Sequence, residues 1–336
     1  MSLVCDRIGE LGDWVRAIEA AGFDAIGFGD SPSLYPEAYV QGTVVALNSS
    51  RVMFGPRVTN PITRHPLVTA AAVATLDELS GGRAMVGIGA GDSAAHGVGE
   101  RPATIQRLRA YVVALRELLD GGRTTYRGRD VRFRATSGRV PIYLAASGPR
   151  GLALAGELCD GVIVGTGVVP ELVPQVHAML AEGAGRAGRS LDDLDVWWLM
   201  GASIAATREQ AREAIATHLA AGSNACLRSG FKGKAVPEEL RDRLQALVDG
   251  YDYTEHELPG AGRGNVRRVH ELALFDYLAR RFAVADTAEG FAARVEELAG
   301  WGADRLWLTM PLPDKYGFLD AVRTGVVPRL RAPVTP

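Results

Sequence analysis

Residues 51–89 of the chain read RVMFGPRVTNPITRHPLVTAAAVATLDELSGGRAMVGIG. A short apolar run, RVMFG, comes first, and a second one, RAMVGIG, comes last. The segment between them has helical composition. It starts at Pro66, a residue suited to a first helical turn, and it stops at Gly81 and Gly82. The stretch therefore predicts a strand, a helix and a second strand, which is the repeating unit of a parallel sheet.

The same unit recurs along the whole chain. At its start, Leu11, Val15 and Ile18 fall at helical spacing before the apolar run DAIGF. Counting a short LVC run at the beginning, the sequence contains eight strands, each followed by a helix. Eight such units close into a barrel more readily than they form an open sheet. We predict an α/β fold, a (β/α)8 TIM barrel, as a single domain over residues 1–336, with an open doubly wound sheet as the alternative.

Two segments interrupt this repeat. Residues 122–139 alternate polar and apolar side chains, which predicts a hairpin after the fourth helix. Residues 222–285 are longer and hold two helical stretches, PEELRDRLQALVDG and NVRRVHELALFDYLARRF, between the seventh and eighth units. Loops at the C-terminal ends of barrel strands build active sites, so this second insertion is a candidate lid.

The composition excludes several classes of protein. Apolar residues make up 47%, charged residues 23%, and the net charge is −2, which predicts a soluble globular protein with no nucleic-acid or membrane partner. The cysteines Cys5, Cys159 and Cys226 are odd in number and lack metal-ligand spacing. We therefore expect free thiols, no metal site and a cytoplasmic location. We also expect no targeting segment and no membrane span.

Glycine and polar residues cluster where the strands end. These segments are GFGDSP (27–32), VTNP (58–61), GIGAGDSA (87–94), AASGPRG (145–151) and VGTG (164–167). None carries the motif of a metal or nucleophilic hydrolase. Gly-rich turns before helices instead present backbone N–H groups that attract phosphate. Ser147 and Gly148 fit such a turn, although Ser147 also suits a simple helix N-cap.

Several of these blocks together resemble a known family. Residues 55–94, GPRVTNPITRHPLVTAAAVATLDELSGGRAMVGIGAGDSA, resemble the core signature of the bacterial luciferase-like flavin and deazaflavin oxidoreductases. The resemblance is nearest to their methylenetetrahydromethanopterin-reductase-like branch, which uses coenzyme F420. AGFDAIGFGDS is similar to the second strand of that family, and YLAASGPRGLALAGELCDGVIVG to its fifth and sixth units. The segment 222–265 matches nothing in the family, so the resemblance leaves the substrate open.

The resemblance implies a set of site residues. A non-prolyl cis peptide is expected between Arg57 and Val58, where Val58 would press on one face of a tricyclic ring. Thr59 and Asn60 would hydrogen-bond the edge of the ring. A trans turn with Asn60 in an Asx-type cap is the alternative. The other cofactor-binding residues expected are Gly91, Ser93, Ser147, Gly148, Pro149, Gly165, Thr166 and Gly167, the last three of which also suit a tight turn.

Two carboxylates at strand ends are the candidate catalytic groups, Asp92 and Asp30. Asp92 would accept a hydrogen bond from the deazaflavin or donate a proton, with a helix N-cap as the alternative role. For Arg64 and His65 we expect ordinary roles, pairing with a local carboxylate and satisfying backbone groups near a helix start. Basic residues of the second insertion, Arg228, Lys232 and Lys234, suit an anionic cofactor tail or substrate.

Three functions follow from the resemblance. The first is an F420-dependent oxidoreductase that moves a hydride between the deazaflavin and a small organic substrate at the barrel mouth. The second is an FMN-dependent monooxygenase, and the third is a barrel that binds a flavin without turnover. The family also implies a homodimer formed through barrel helices.

Overall fold

The computed structural model describes residues 1–3, 7–134, 139–255, 263–310 and 313–330. Cys5, one of the three predicted free thiols, lies outside these residues. The chain divides into two compact units. The first comprises Met1–Ala146, Arg150–Ile163 and Met179–Asp195, and the second comprises Ser147–Pro149, Val164–Ala178 and Val196–Pro336. The organisation of residues 1–336 as a single domain stays a prediction.

The elements of the described chain follow in order. The strands are β1 (Ser2–Leu3), β2 (Ala25–Phe28), β3 (Met53–Pro56), β4 (Val86–Ile88), β5 (Arg123–Tyr126), β6 (Arg129–Arg132), β7 (Ile142–Ala146), β8 (Gly161–Val164), β9 (Asp195–Ile204), β10 (Ala283–Asp286) and β11 (Leu306–Thr309). The helices are α1 (Leu11–Ala20), α2 (Ala38–Asn48), α3 (Pro66–Ser80), α4 (Asp92–Gly97), α5 (Ile105–Gly121), α6 (Pro149–Leu158), α7 (Val173–Arg186), α8 (Arg208–Ala214), α9 (Ala216–Leu227), α10 (Arg241–Asp249), α11 (Arg263–Glu271), α12 (Phe275–Phe282), α13 (Ala288–Gly300), α14 (Lys315–Ala321) and α15 (Val327–Leu330).

Parallel strands form the core of the first unit. β1 pairs with β2 and β2 with β3, with Gly27 opposite Gly55 in the second pair. A bridge between Phe54 and Ala84 continues the sheet from β3 to β4, and β4 pairs with β7. The C-terminal ends of these strands consequently point the same way, which brings the residues that follow β2, β3 and β4 to one edge.

Two helices of the first unit confirm the sequence pattern closely. α1 buries Leu11, Val15 and Ile18, the three positions predicted to share a face. α3 begins at Pro66, as predicted, and ends at Ser80, directly before Gly81. The predicted hairpin is also confirmed, because β5 and β6 are antiparallel partners. Residues 135–138 of the predicted hairpin segment lie outside the described residues.

The second unit contains one strand that the sequence pattern missed. β9 pairs in parallel with β11, as expected for consecutive barrel strands, and it also pairs with β10. β10 has the sequence AVAD and directly follows α12, and the predicted insertion includes its first three residues. Its strand state depends on the pairing of Ala283 with Gly201, a partner that is distant in sequence.

The second insertion folds around an apolar core of its own. Helices α9 to α12 enclose buried side chains that include Leu219, Leu244, Val269 and Leu278. The second predicted helical stretch, NVRRVHELALFDYLARRF, is divided into α11 and α12 by a left-handed residue, Ala273 (φ 49°). The side chain of Arg243 donates to the Leu272 and Ala273 carbonyls at this break.

The predicted fold class is confirmed. Helices alternate with parallel strands along the chain in the order of a (β/α)8 TIM barrel. The hairpin insertion follows α5, the helix of the fourth unit, and the second insertion falls between β9 and β11. Across the described residues, every helix is too short or too polar to serve as a membrane span.

Candidate active site

The chain leaves β3 through a bulge whose backbone joins the neighbouring strand. The peptide bond between Arg57 and Val58 is cis, as the resemblance implied. Thr59 donates its N–H to the Gly87 carbonyl at 2.9 Å, and its own carbonyl accepts from the Gly89 N–H at 2.9 Å. Thr59 is therefore paired with β4, so main-chain hydrogen bonds fix the position of the bulge.

Asp30, just beyond the end of β2, is 4% exposed and accepts three hydrogen bonds. Its Oδ2 accepts from Thr59 Oγ1 and from Arg64 Nε, both at 2.7 Å, and its Oδ1 accepts from Arg64 Nη2 at 3.0 Å. Arg64 also pairs with Glu37. Burial opposes the charge of Arg64, but the hydrogen bonds and charge of Asp30 raise the pKa of the guanidinium above its ordinary value. Arg64 pairs with local carboxylates, as predicted.

His65 has the ordinary role expected for it at the start of α3. Its Nδ1 accepts from the Leu67 N–H at 3.2 Å, which satisfies one of the first free donors of the helix. The ring also meets that of Tyr126 edge to face, with 5.1 Å between the centroids. These contacts fix His65 as the N-cap residue.

The side-chain amide of Asn60 is oriented by its neighbours. Its Oδ1 accepts from the backbone N–H groups of Ile62 and Thr63, both at 2.9 Å, so the opposite atom, Nδ2, has a fixed direction. Nδ2 is buried and has no hydrogen-bond partner among the described residues. Gly91 (φ 81°) lies against this side chain, where a Cβ would come within 2.7 Å of the Asn60 Cβ. Asn60 thus forms the Asx-type turn of the alternative interpretation and also holds an unused donor, but the trans peptide of that alternative is wrong because the Arg57–Val58 bond is cis.

Asp92 opens α4 at the end of the next strand. Its side chain is 24% exposed, and its Oδ1 lies 3.6 Å from Nε2 of His96, one helical turn further on. The adjacent Ser93 Oγ lies 2.6 Å from Ser31 Oγ, which follows β2. Asp30, Ser31, Thr59 and Ser93 thus belong to one connected group of strand-end residues in the first unit.

The remaining predicted residues, at 147–149 and 165–167, belong to the second unit, and we refer to them as the second group. Thr166 is completely buried and its Oγ1 donates to the Gly167 carbonyl at 3.0 Å. Gly167 has a left-handed backbone (φ 69°), so this segment is the tight turn that its sequence suggested. Ser147, Gly148 and Pro149 are half-buried and directly precede or begin α6.

Sequence reasoning missed two residues of the first group. Ser31 contacts Ser93, and its signal was its place within the strand-end segment GFGDSP. Arg107, on α5, donates from Nη2 to the carbonyl of Pro61 at 2.8 Å and so holds the end of the bulge. No local pattern in the helix sequence distinguishes Arg107 from the other arginines of α5.

The first group fits a planar ring with polar edge atoms. A buried amide donor without a partner costs free energy unless a ligand acceptor completes it, and Asn60 Nδ2 is such a donor. The half-buried Val58 side chain supplies an apolar surface beside it. Among the described residues, no three His, Cys, Asp or Glu side chains are grouped so that they could hold a metal ion.

Comparison with known proteins identifies the family. Residues 2–305 match the model of the luciferase-like monooxygenase family. The chain belongs to this family. Among family relatives, it is 29% identical to 5,10-methylenetetrahydromethanopterin reductase of Archaeoglobus fulgidus, over 96% of each chain. It is also 29% identical to F420-dependent glucose-6-phosphate dehydrogenase of Nakamurella multipartita, over 96% of this chain and 93% of the relative.

The structures agree with the sequences. The luciferase-like chain superposes on coenzyme F420-dependent tetrahydromethanopterin reductase from Methanopyrus kandleri with a TM-score of 0.75, 26% identity and 98% coverage of both chains. The predicted membership is confirmed, including the resemblance to the reductase branch. The chain is accordingly an enzyme of the oxidoreductase class, as predicted.

Proposed function

We propose that this luciferase-like enzyme is an F420-dependent oxidoreductase that transfers a hydride between the deazaflavin and a small organic substrate. Relatives named as F420-dependent reductases and dehydrogenases, matched over almost the whole chain, support this assignment. The cofactor would supply a ring carbon that takes up or releases a hydride. All other contributions come from side chains and backbone of this chain.

The orphaned amide of Asn60 carries the proposal. With Oδ1 committed to Ile62 and Thr63, Nδ2 is presented as a donor to a carbonyl at the ring edge. Thr59 contributes a second edge contact, and Val58, with the backbone of Arg57, supports one ring face. Gly91 allows the close approach of Asn60, and we assign Ser93, which is hydrogen-bonded to Ser31, to the same ring site. The phosphate of the cofactor is assigned to the second group, Ser147, Gly148, Pro149, Gly165, Thr166 and Gly167.

The two predicted carboxylates receive different roles. Asp92 is partly exposed at a helix start, which suits a group that exchanges a proton with substrate and solvent. Asp30 already accepts from Thr59 and Arg64, so its contacts favour a positioning role beneath the bulge. We therefore assign proton transfer to Asp92 and orientation of Thr59 to Asp30.

Titration of the protein with F420 and with FMN tests the assignment. We expect F420 to bind at least about tenfold more tightly than FMN, measured by quenching of ligand fluorescence. In Asn60→Asp the acceptor oxygen of the turn is kept and Nδ2 becomes an oxygen, so F420 affinity is expected to fall about tenfold or more. Thr63→Val is the matched control, because it leaves Nδ2 in place, and its affinity is expected to stay within about threefold.

A different outcome selects an alternative. The matching family is described as luciferase-like monooxygenases. An FMN-dependent monooxygenase is therefore the second candidate, and preferential binding of FMN would establish it in place of ours. Tight binding of F420 without reduction of any enone, imine or nitro compound would leave a cofactor-binding barrel without turnover. Failure of both cofactors to bind would contradict the assignment.

A homodimer is part of the proposal. α2 contains no charged residue, and its exposed face carries Val40 (52% exposed) and Leu47 (67%). The neighbouring α3 exposes Val68 (51%) and Leu79 (46%). Exposed apolar side chains of this kind on two adjacent helices are typical of a protein interface. A second copy of the chain is the occupant that we propose, as the family resemblance implied.

A charge placed on this face tests the dimer. Leu47→Glu is expected to shift the sedimenting species from the dimer to the 35.7 kDa monomer, because burying an unpaired carboxylate opposes association. Leu330→Glu, at an exposed apolar residue of the second unit (39%), is the control and should leave the mass unchanged. A wild-type chain that sediments as a monomer at micromolar concentration would contradict the dimer.

We also propose a cytoplasmic location. Cys159 and Cys226 are buried free thiols, and burial raises the pKa of Cys159 to about 12, so it stays protonated. Unpaired thiols of this kind suit a reducing compartment. The role of the second insertion as a lid stays a prediction.

A further inference from the structure

Arg281, on α12, is completely buried although it carries a permanent charge. Its Nε donates to the Thr166 carbonyl at 2.9 Å, and its Nη1 donates to the Tyr277 hydroxyl at 2.7 Å. Nη2 donates to the Lys234 carbonyl, and Nη1 makes a longer contact with the Ala235 carbonyl. All these acceptors are neutral carbonyl and hydroxyl groups. Their dipoles stabilise the charge of Arg281, but they do not neutralise it.

These contacts join two segments of the second unit. The backbone carbonyl of Arg281 accepts from the Val168 N–H at 2.7 Å, in addition to the side-chain bond to Thr166. Gly167, between them, is packed so tightly that a Cβ would lie 2.5 Å from the Arg281 carbonyl oxygen. Arg281 therefore clamps the turn after β8 to the Lys234–Ala235 segment of the insertion.

Lys234 is a second buried cation beside the first. It is 2% exposed, and its Nζ donates to the Cys226 carbonyl and, at 2.9 Å, to Ser229 Oγ. An ammonium has three donors, so these two contacts leave one for a ligand. Its Cε lies 4.0 Å from the position that a Cβ on Gly148 would occupy. Lys234 thus adjoins the residues assigned to the cofactor phosphate.

The described part of the chain supplies no counter-ion to either cation. Within the described ranges, neither Lys234 nor Arg281 forms an ion pair with a carboxylate, although both are buried. Buried charges are normally paired, because removing an ion from water without a partner is costly. Burial lowers the pKa of the Lys234 amine, and the charge of Arg281 lowers it further. A bound anion would offset both the burial of the Lys234 amine and its repulsion by Arg281.

We propose that Lys234 is a ligand of an oxyanion bound beside Gly148, and that Arg281 is the positioning residue that holds the Thr166–Val168 turn around the same anion. The inference rests on the proposed function and deepens it, since it names a lysine and an arginine for the phosphate group. The oxyanion belongs either to the cofactor or to an acidic substrate, and inorganic phosphate shares its chemistry.

Cofactor forms with and without the phosphate separate these sources. The test compares F420 with the ribityl deazaflavin that has the same ring but lacks the phosphate and acidic tail. Lys234→Met should weaken F420 binding about tenfold to a hundredfold, the effect of losing one charge-assisted hydrogen bond, and should leave binding of the phosphate-free form unchanged. Arg281→Lys keeps the charge but cannot reproduce the fork of donors, and should weaken F420 alone about tenfold.

The chain offers matched controls for both variants. Arg280→Lys changes the adjacent exposed arginine of α12, and Lys315→Met removes the lysine that begins α14. Both should bind F420 within about threefold of wild type. Melting temperature and affinity for the phosphate-free form, measured on each variant, detect a loss of folding that is unrelated to the anion.

Three outcomes decide the inference. Selective loss of F420 affinity in Lys234→Met supports an anion from the cofactor. Unchanged F420 affinity with loss of inorganic phosphate binding, measured by calorimetry, supports an anion from the substrate. If the variant binds F420, the phosphate-free form and inorganic phosphate like wild type, the inference is overturned. A wild-type protein that does not bind F420 contradicts the proposed function instead, and the phosphate titration still tests the site.

Discussion

An Asp92→Asn variant is expected to lose about a hundredfold or more of kcat while binding F420 within about threefold of wild type. Adding a hydride to a C=O, C=N or activated C=C bond leaves negative charge on the substrate, which a proton must neutralise. Asp92 is the partly exposed carboxyl group at the start of α4, and the amide keeps its size but has no acidic proton. The measurement is steady-state turnover of F420 with whichever enone, imine or nitro compound the wild type reduces.

Two further variants show whether the loss of kcat results from removing the carboxyl group of Asp92. Asp92→Glu keeps the carboxyl group and should recover part of the rate. Glu100→Gln removes an exposed carboxylate shortly after the same helix and should change kcat less than about threefold. A kcat for Asp92→Asn equal to that of Glu100→Gln would contradict the proposed role of Asp92 in proton transfer. It would not bear on the proposed binding of the cofactor by Asn60.

Asp30→Ala is expected to lower the free energy of unfolding by about 3 to 5 kcal/mol. The substitution removes a carboxylate whose side chain is 2% exposed and leaves the largely buried guanidinium of Arg64 without its bidentate partner. It also deprives Thr59 Oγ1 of its acceptor, so F420 affinity should fall with stability. Urea unfolding gives the free energy, and fluorescence quenching gives the affinity.

Glu37→Gln is the matched control, because Glu37 pairs with the same arginine from a side chain that is 48% exposed. Solvent screens an exposed pair, and the new amide oxygen can still cap the Val40 N–H, so we expect a loss below about 1 kcal/mol. Equal losses in the two variants would contradict the argument from burial. If Asp30→Ala does not fold, Asp30→Asn, which keeps one acceptor oxygen, gives the same comparison.

The fold could be predicted wherever local signals set the elements. Pro66 and the glycine after Ser80 bound α3 from within its own sequence, and the apolar spacing of α1 directly identifies its buried face. β10 was missed because its alanines and valine continue a helical stretch, and only pairing with β9 makes them a strand. The break at Ala273 was missed for a similar reason, since the distant Arg243 supplies donors to the carbonyls there.

In the candidate site, too, some features could be predicted from the sequence, while others depend on residues that are distant in sequence. The cis peptide at Arg57 and the local pairing of Arg64 followed from the family resemblance and from simple charge matching, and the structure contains both. Arg281 left no signal, because it stands next to Arg280 in the sequence ARRF and only one of the two is buried. Which arginine turns inward depends on where the Thr166 carbonyl lies, a fact of tertiary structure.

The pairing of Thr59 with β4 has a consequence for how this enzyme can change. Its N–H bonds to the Gly87 carbonyl and its carbonyl to the Gly89 N–H, so main-chain atoms hold the bulge that carries Val58. The side chain at position 58 can therefore be exchanged without moving the backbone of the bulge. Under the proposed function, we expect such exchanges to change the apolar surface against the cofactor ring while the backbone that carries it stays in place.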